Sequence, residues 1–413
     1  MPEGNRAKSE INEKLIPEAN IGMVGHVSHG KTTLTQALTG KITLTHSEEL
    51  KRGITIRLGY ADATFYKCKN NHYTTAAKCP VCFEKCEILR TVSFIDAPGH
   101  ETLMATVLTG ASLMDGALLI IAANEKCPQP QTREHLTALE VAGIKNVIII
   151  QNKIDLVTKE KAVENYKEIK NFIKGTEIEN APIIPVSSQQ KINIDTVIQT
   201  IEENIPTPKR DTDTELRMYV ARSFDINKPG TKIEKLTGGI LGGAITSGKL
   251  EVGDDISIRP GIRVINKYKP LKTKVVSLKK GGIDLNESTA GGLLGVMTDL
   301  DPSITKSDLL VGNVVSSAEK PAEVKESLLI QVKLLQRVVG DEELKNVQPL
   351  KQNEELLINI GTARSIGIVS SAKKDKVEMK LKIPVVAEKG NRIAISRLIS
   401  GRWRLIGHGT VLS

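Results

Sequence analysis

Aromatic side chains are scarce: Phe, Trp and Tyr supply 3% of the 413 residues, and there is one Trp. Proteins that track single strands stack successive bases on such rings, so the composition argues against that class. A structured RNA met through shape, phosphates and 2′-hydroxyls fits better. Cysteine is also rare, at five residues, too few for a disulfide framework at this length. Long apolar runs are missing. Stretches such as Ala117 to Ala123 fall far short of the ~20 residues that cross a bilayer. The opening MPEGNRAKSEINEK has no apolar core, so we expect no secretory leader, no membrane contact and a cytoplasmic location.

What is present is ordinary globular composition, 40% hydrophobic and 25% charged, with length for about two to four domains. The formal charge of +9 is unevenly spread. Residues 1–208 hold 23 Lys/Arg against 24 Asp/Glu, residues 209–320 hold 18 against 14, and residues 321–413 hold 16 against 10. The surface that attracts polyanions therefore belongs to the second half of the chain.

Residues 20–205 alternate short β-branched runs with helical patterns. Ile21–Val24, Thr91–Ile95, Ala117–Ala122, Val147–Gln151 and Ile183–Val186 read as buried strands. Lys31–Leu38, His100–Ala111, Gln131–Ala142, Lys159–Lys174 and Ile194–Glu203 read as helices. Such alternation builds a mostly parallel sheet covered on both faces. Ile205-Pro-Thr-Pro then stops the last helix. Beyond it, short alternating runs such as Arg217–Phe224, Gly238–Ile245 and Asp255–Arg259, punctuated by paired glycines, predict closed antiparallel barrels. A second break falls near Ser316–Glu323. The expected architecture is an α/β nucleotide-binding domain over 1–207, one β-barrel over 208–320 and another over 321–413.

Gly25-His26-Val27-Ser28-His29-Gly30-Lys31-Thr32 matches the phosphate-loop pattern and lies between a predicted strand and helix. Its glycines let backbone N–H groups wrap phosphates, Lys31 neutralises β/γ oxygens, and Thr32 offers a hydroxyl to Mg²⁺; Thr33 continues the nucleotide contact. The base is read elsewhere. Asn152-Lys153-Ile154-Asp155 follows a strand at its carboxyl end, where α/β sheets receive ligands. The Asp155 carboxylate accepts the N1–H and N2–H₂ of guanine, whereas adenine has no donor at N1. The Lys153 stem covers the base and Asn152 reaches the phosphate loop. Ser187, Ser188 and Gln189, after another strand, are placed to meet guanine O6.

Asp96-Ala97-Pro98-Gly99-His100 also follows a strand. Asp96 is placed to hold Mg²⁺, the Gly99 N–H to bond the γ-phosphate, and His100 to orient the attacking water. In the polar segment His46 to Thr55, Thr55 is the candidate second hydroxyl on Mg²⁺. We therefore expect GTP/GDP and Mg²⁺ as ligands.

Cys79-Pro-Val-Cys82 has the spacing that places two thiolates on one Zn²⁺. Cys68 stands eleven residues before Cys79, and the fourth ligand is either His72 or Cys86. The insert, about 66–88, reads as structural or partner-binding. Cys127 is isolated and reads as inert.

These residues resemble a known family. GHVSHGKTTL, DAPGH, NKID and two trailing barrels look like the translational GTPases related to elongation factor Tu. HSEELKRGITIRLGYAD, the knuckle, PQPQTREH, RSFDINKPGT and SGRWRLIGHGT look like the gamma subunits of archaeal translation initiation factor 2. The resemblance implies a GTP-dependent carrier that takes methionylated initiator tRNA to the small ribosomal subunit with mRNA, joined to alpha and beta subunits in a heterotrimer. The nearest competing reading is an elongation-factor-type GTPase carrying another aminoacyl-tRNA. The chain departs from the family pattern at Ser28, where Asp is common, at Asn71, where a knuckle cysteine is common, and at Ser188, where Ala is common. Ser28 implies slower hydrolysis with GTP binding kept.

Overall fold

The computed structural model describes residues 13–43, 55, 58–100, 103–209, 211–338 and 346–413. Most of the polar segment expected to switch, 46–54, lies outside them. The first body is a seven-stranded sheet in the order β3-β2-β4-β1-β5-β6-β7. Its strands are β1 (Pro17–Gly25), β2 (Gly59–Lys67), β3 (Tyr73–Thr74), β4 (Glu87–Asp96), β5 (Gly116–Ala122), β6 (Val147–Asn152) and β7 (Ile183–Pro185). β4, β1, β5, β6 and β7 run parallel, whereas β2 and β3 pair antiparallel at one edge. The sequence pattern missed that edge. Residues 59–67 alternate buried and half-buried positions, so they lack the continuous apolar run that marks a doubly covered strand.

The strands bury both faces because alternate residues point opposite ways. Ile21, Met23, Leu118, Ile120, Ile148 and Ile150 pack on one side, under α1 (Lys31–Thr39) and α5 (Ile194–Asn204). Val24, Leu119, Ile121, Val147 and Ile149 pack on the other, against α2 (Met104–Ala111), α3 (Pro130–Ala142) and α4 (Lys159–Ile173). The helix expected from His100 begins at Met104.

The chain after α5 is clamped rather than left as a free spacer. The Arg90 guanidinium donates to Glu202, Thr207 and the Ile201 and Ile205 carbonyls. The next sheet closes into a six-stranded antiparallel barrel: β8 (Arg217–Phe224), β9 (Ile240–Ser247), β15 (Leu294–Thr298), β12 (Lys267–Lys280), β11 (Asp255–Val264) and β16 (Val314–Ser317). The last is a closed six-stranded barrel of β17 (Val324–Leu334), β18 (Glu355–Ile360), β19 (Ala363–Lys373), β20 (Lys376–Val386), β21 (Arg392–Ile399) and β22 (Arg402–Val411). Each barrel has its own apolar core.

Both barrels dock on the nucleotide-binding body. Arg404 pairs with Glu134 of α3 at 2.9 Å. Asn359 donates to the Ala105 carbonyl of α2 at 3.2 Å. Arg222 of β8 pairs with Asp308 and reaches the Leu58 carbonyl. Among the described residues no helix is long and apolar enough to cross a membrane.

Candidate functional site

β1 ends at Gly25, and the chain turns through Ser28 at φ 61° and Gly30 at φ 92° into the first turn of α1. Gly30 is required by space as well as by conformation: a Cβ there would lie 2.3 Å from Asn152 Nδ2. The helix N-terminus aims its N–H groups into the loop, where anions bind. Lys31 is buried, and its ammonium donates to the Gly25 and His26 carbonyls at 2.9 and 2.8 Å. Burial pulls its pKa down to about 8 against the opposing pull of Asp96. Around one cavity of about 180 Å³ the structure gathers Val27, Ser28, Gly30, Lys31, Thr32, Thr33, Thr55, Gly99, His100 and Lys153. Within the loop, the rings of His26 and His29 have centroids 5.0 Å apart.

Three oxygen donors expected on magnesium meet at the mouth of α1. Thr32 Oγ1 donates to Asp96 Oδ2 at 2.8 Å and lies 3.1 Å from Thr55 Oγ1. A small hard cation seeks such a carboxylate-and-hydroxyl set, so the donor chemistry fits Mg²⁺. Gly99 packs on the loop so closely that a Cβ would fall 2.4 Å from Lys31 Nζ. His100 is exposed beside it.

On the other flank, Asn152 ties two loops together. Its Nδ2 donates to the His29 carbonyl at 2.9 Å, and its Oδ1 accepts from the Ser188 N–H and hydroxyl. Lys153 is left-handed at φ 62°. Asp155 and Gln189 are exposed, while Ser187 and Ser188 are buried. Thus Asn152 ties the loops together, and Asp155 stays open to solvent.

Two residues of this end were not anticipated. Thr43 Oγ1 donates to Asp96 Oδ2 at 2.6 Å. His135, on α3, accepts the Gly25 N–H on Nδ1 at 2.8 Å. An imidazole that accepts there is neutral; burial first, then Lys31, His26 and His29, hold its pKa well below the ordinary value. Neither residue belongs to a local pattern around the loop. His135 lies in the PQPQTREH string, but nothing in that string points to Gly25, 110 positions away.

A second cluster lies at the opposite end of the sheet, where β2 and β3 give way to β4. The Asn71 N–H donates to the Cys68 carbonyl at 2.9 Å, folding His72 back toward the cysteines. The Phe83 N–H does the same to Cys79 at 3.0 Å. Ligand atoms of Cys68, His72, Cys79 and Cys82 all fall within 4.8 Å of one another. Cys79 Sγ is 3.5 Å from His72 Nδ1, and Cys82 Sγ is 3.7 Å from Cys68 Sγ. A tetrahedral zinc with ordinary bond lengths sets those separations at about 3.6 and 3.8 Å. The three-thiol, one-imidazole set fits Zn²⁺ in geometry and softness. The Cys82 backbone N–H draws the Cys79 thiol down to about 6. Cys86 is outside the set, its thiol turned to the Glu84 carbonyl at 3.8 Å. Cys127 is buried, and its thiol is pushed up to about 12 by desolvation.

Known proteins decide the family. Residues 17–207 match the elongation factor Tu GTP-binding domain, and residues 326–411 match the C-terminal domain of initiation factor eIF2 gamma. The translation initiation factor 2 subunit gamma of Pyrococcus furiosus is 59% identical over 95% of this chain and 97% of its own. That of Archaeoglobus fulgidus is 56% identical over 97% and 96%. The chain belongs to the gamma-subunit family of translation initiation factor 2. It is therefore a translational GTPase that acts in initiation, with GTP and GDP as nucleotides and Mg²⁺ as the accompanying ion. The fold is shared more widely. A bacterial selenocysteine-specific elongation factor superposes with a TM-score of 0.74 at 23% identity, over 96% of this chain and 58% of that one. Elongation factor SelB of Methanococcus maripaludis, solved with a GTP analogue, gives 0.71 at 23% over 96% and 79%.

Proposed function

We propose that this GTPase carries methionylated initiator tRNA to the small ribosomal subunit with its mRNA, as one member of a cytoplasmic alpha, beta and gamma heterotrimer. The observation that carries the reading is similarity to gamma subunits across 95% of the chain, which takes in the knuckle and both barrels as well as the GTPase body. We take 1–207, 208–320 and 321–413 as its functional divisions.

In this reading the loop from Gly25 to Thr33 cradles the phosphates, Asp155 selects guanine, and the Ser187–Gln189 segment faces O6. Thr32, Thr55 and Asp96 hold Mg²⁺, which when bound neutralises charge on the β- and γ-phosphates. The Gly99 N–H bonds the γ-phosphate, and His100 orients water for attack. Loss of the γ-phosphate frees Gly99 and Thr55. The segments they belong to touch the barrels through Leu58 and Ala105, a direct mechanical route from hydrolysis to tRNA release. Cys68, His72, Cys79 and Cys82 hold a structural zinc.

The test is filter binding of methionylated initiator tRNA to the chain with its alpha subunit, in GTP and GDP. Tighter binding in GTP is expected. Equal retention in both nucleotides, or stronger retention of an elongator aminoacyl-tRNA, overturns the proposal.

A further inference from the structure

The cysteine knuckle holds its most exposed apolar side chains where the fold gains least from them. Phe83 is 68% exposed and Val81 66% exposed, at the tip between Cys79 and Glu84. Phe83 also occupies the left-handed region at φ 57°. That conformation costs an L-residue about 1–2 kcal/mol and is an outlier for a bulky side chain. Glycine or asparagine would make the same turn at lower cost. The recorded ring contact is Lys78, whose Nζ lies 5.7 Å from the ring centroid. Strain held for an outward-facing ring points to a partner rather than to folding.

The surroundings narrow the partner's chemistry. Lys69, Lys78 and Lys85, all in the knuckle segment, are exposed, and none forms an ion pair with another described residue. Lys67 is set over Tyr73 at 4.9 Å. The segment from Tyr66 to Ile88 carries four lysines against Glu84 and Glu87. An exposed ring with exposed lysines on the same short segment, one of them against the ring, suits stacking of an unpaired base and contact with its flanking phosphates. The chain is poor in aromatics overall, so it is no reader of long single strands; one ring serves one base.

We propose that the knuckle tip is a separate RNA-binding site. Phe83, supported by Val81, stacks an unpaired base from a loop of a structured RNA, and Lys69, Lys78 and Lys85 take the adjoining phosphates. The ten residues of β4 separate this tip from Asp96, about 30 Å along a strand. Binding here is therefore independent of nucleotide. The inference goes beyond the carrier function and does not need it.

The experiment uses the full chain with its knuckle metal, without nucleotide. Trp403→Phe removes the native indole, and Phe83→Trp supplies a reporter at the tip. We expect quenching by an RNA hairpin with an unpaired loop, and none by a fully paired duplex of the same stem. Phe83→Ala should weaken hairpin binding roughly 5- to 100-fold, the range of one lost base stack. Replacing Lys69, Lys78 and Lys85 by Gln should lower the salt slope by about 2, since each phosphate contact contributes about 0.7 on a single strand. Zinc content is measured for each variant. If Phe83→Ala loses metal, Phe83→Leu decides, since it keeps an apolar side chain without a stacking face; it should bind the hairpin as weakly. Equal response to hairpin and duplex, or unchanged affinity in the ring-less variants, overturns the proposal. So does an indole that answers only to an acidic peptide or to the partner subunits, which would make the tip a protein-docking surface.

Discussion

The two ends of one sheet are built by opposite means. At the carboxyl ends of β1, β4 and β6 the site is made of backbone N–H groups, hydroxyls and carboxylates, and it is held in shape by long-range hydrogen bonds. Asn152 reaches His29, His135 reaches Gly25, and Thr43 reaches Asp96. At the other end, a segment with two short turns is gathered around three thiols and an imidazole. Among the described residues the apolar contacts there are few: Cys68, Cys79 and Cys86 with Tyr66 and Cys82. The first end owes its shape to those hydrogen bonds and to the packed sheet beneath them. The second has almost no apolar core, so a metal held by that ligand set would supply the cross-link that packing does not.

Replacing Asp155 by Asn should break the nucleotide end most severely. Its carboxylate is exposed, and in the proposed reading it accepts two guanine donors. Each hydrogen bond to a charged group is worth about 1.5–3 kcal/mol, so GTP affinity should fall at least about 100-fold, while xanthosine triphosphate gains. Calorimetry with both nucleotides checks this; equal loss of both would mean that Asp155 only supports the loop.

Cys79→Ser should break the other end alone. Zinc content should drop from one per chain toward zero and protease should cut within 68–86, yet GTP affinity should stay within about twofold, given sites about 30 Å apart. A parallel loss of GTP binding would show that the ends are coupled. Within the same cluster, His72→Ala should lose zinc and Cys86→Ala should keep it, measured by elemental analysis.

The pH response should belong to the nucleotide end. His135 has its pKa held well below 6.5 in the fold, so below that pH the unfolded chain binds the extra proton. Stability is therefore undiminished above pH about 6.5 and falls as the pH drops further, by at most about 1.4 kcal/mol per pH unit from this group. Denaturant melts of wild type and His135→Gln should show a shallower slope in the variant between pH 6.5 and 5, and equal slopes would remove the assignment. The smallest effect is expected at Ser28. Its left-handed backbone, φ 61°, suits Asp, so Ser28→Asp should fold unchanged and raise single-turnover GTP hydrolysis a few-fold.

Much of the fold was legible because local pattern and tertiary environment agree. The strands expected at Ala117–Ala122 and Val147–Gln151 are the fully buried β5 and β6, whose apolar runs can be read without knowing their neighbours. The antiparallel strand β2, next to the edge, was not, since half its residues face a less covered side. The phosphate loop was legible because its glycines, lysine and threonine must be adjacent in sequence to wrap one anion. Thr43 and His135 were not, because their partners are 53 and 110 positions away and no local rule links them.

The sequence by itself determined the alternation of strands and helices, the phosphate-loop pattern, the Asn152-to-Asp155 motif after its strand and the cysteine spacing, since each depends on neighbours within a few residues. Only the tertiary structure decided that His72 rather than Cys86 joins the thiols, that Arg90 clamps the chain leaving α5, and that Phe83 faces outward on a strained turn. Each of these depends on which distant segments meet, a choice that is made when the sheet and the knuckle close.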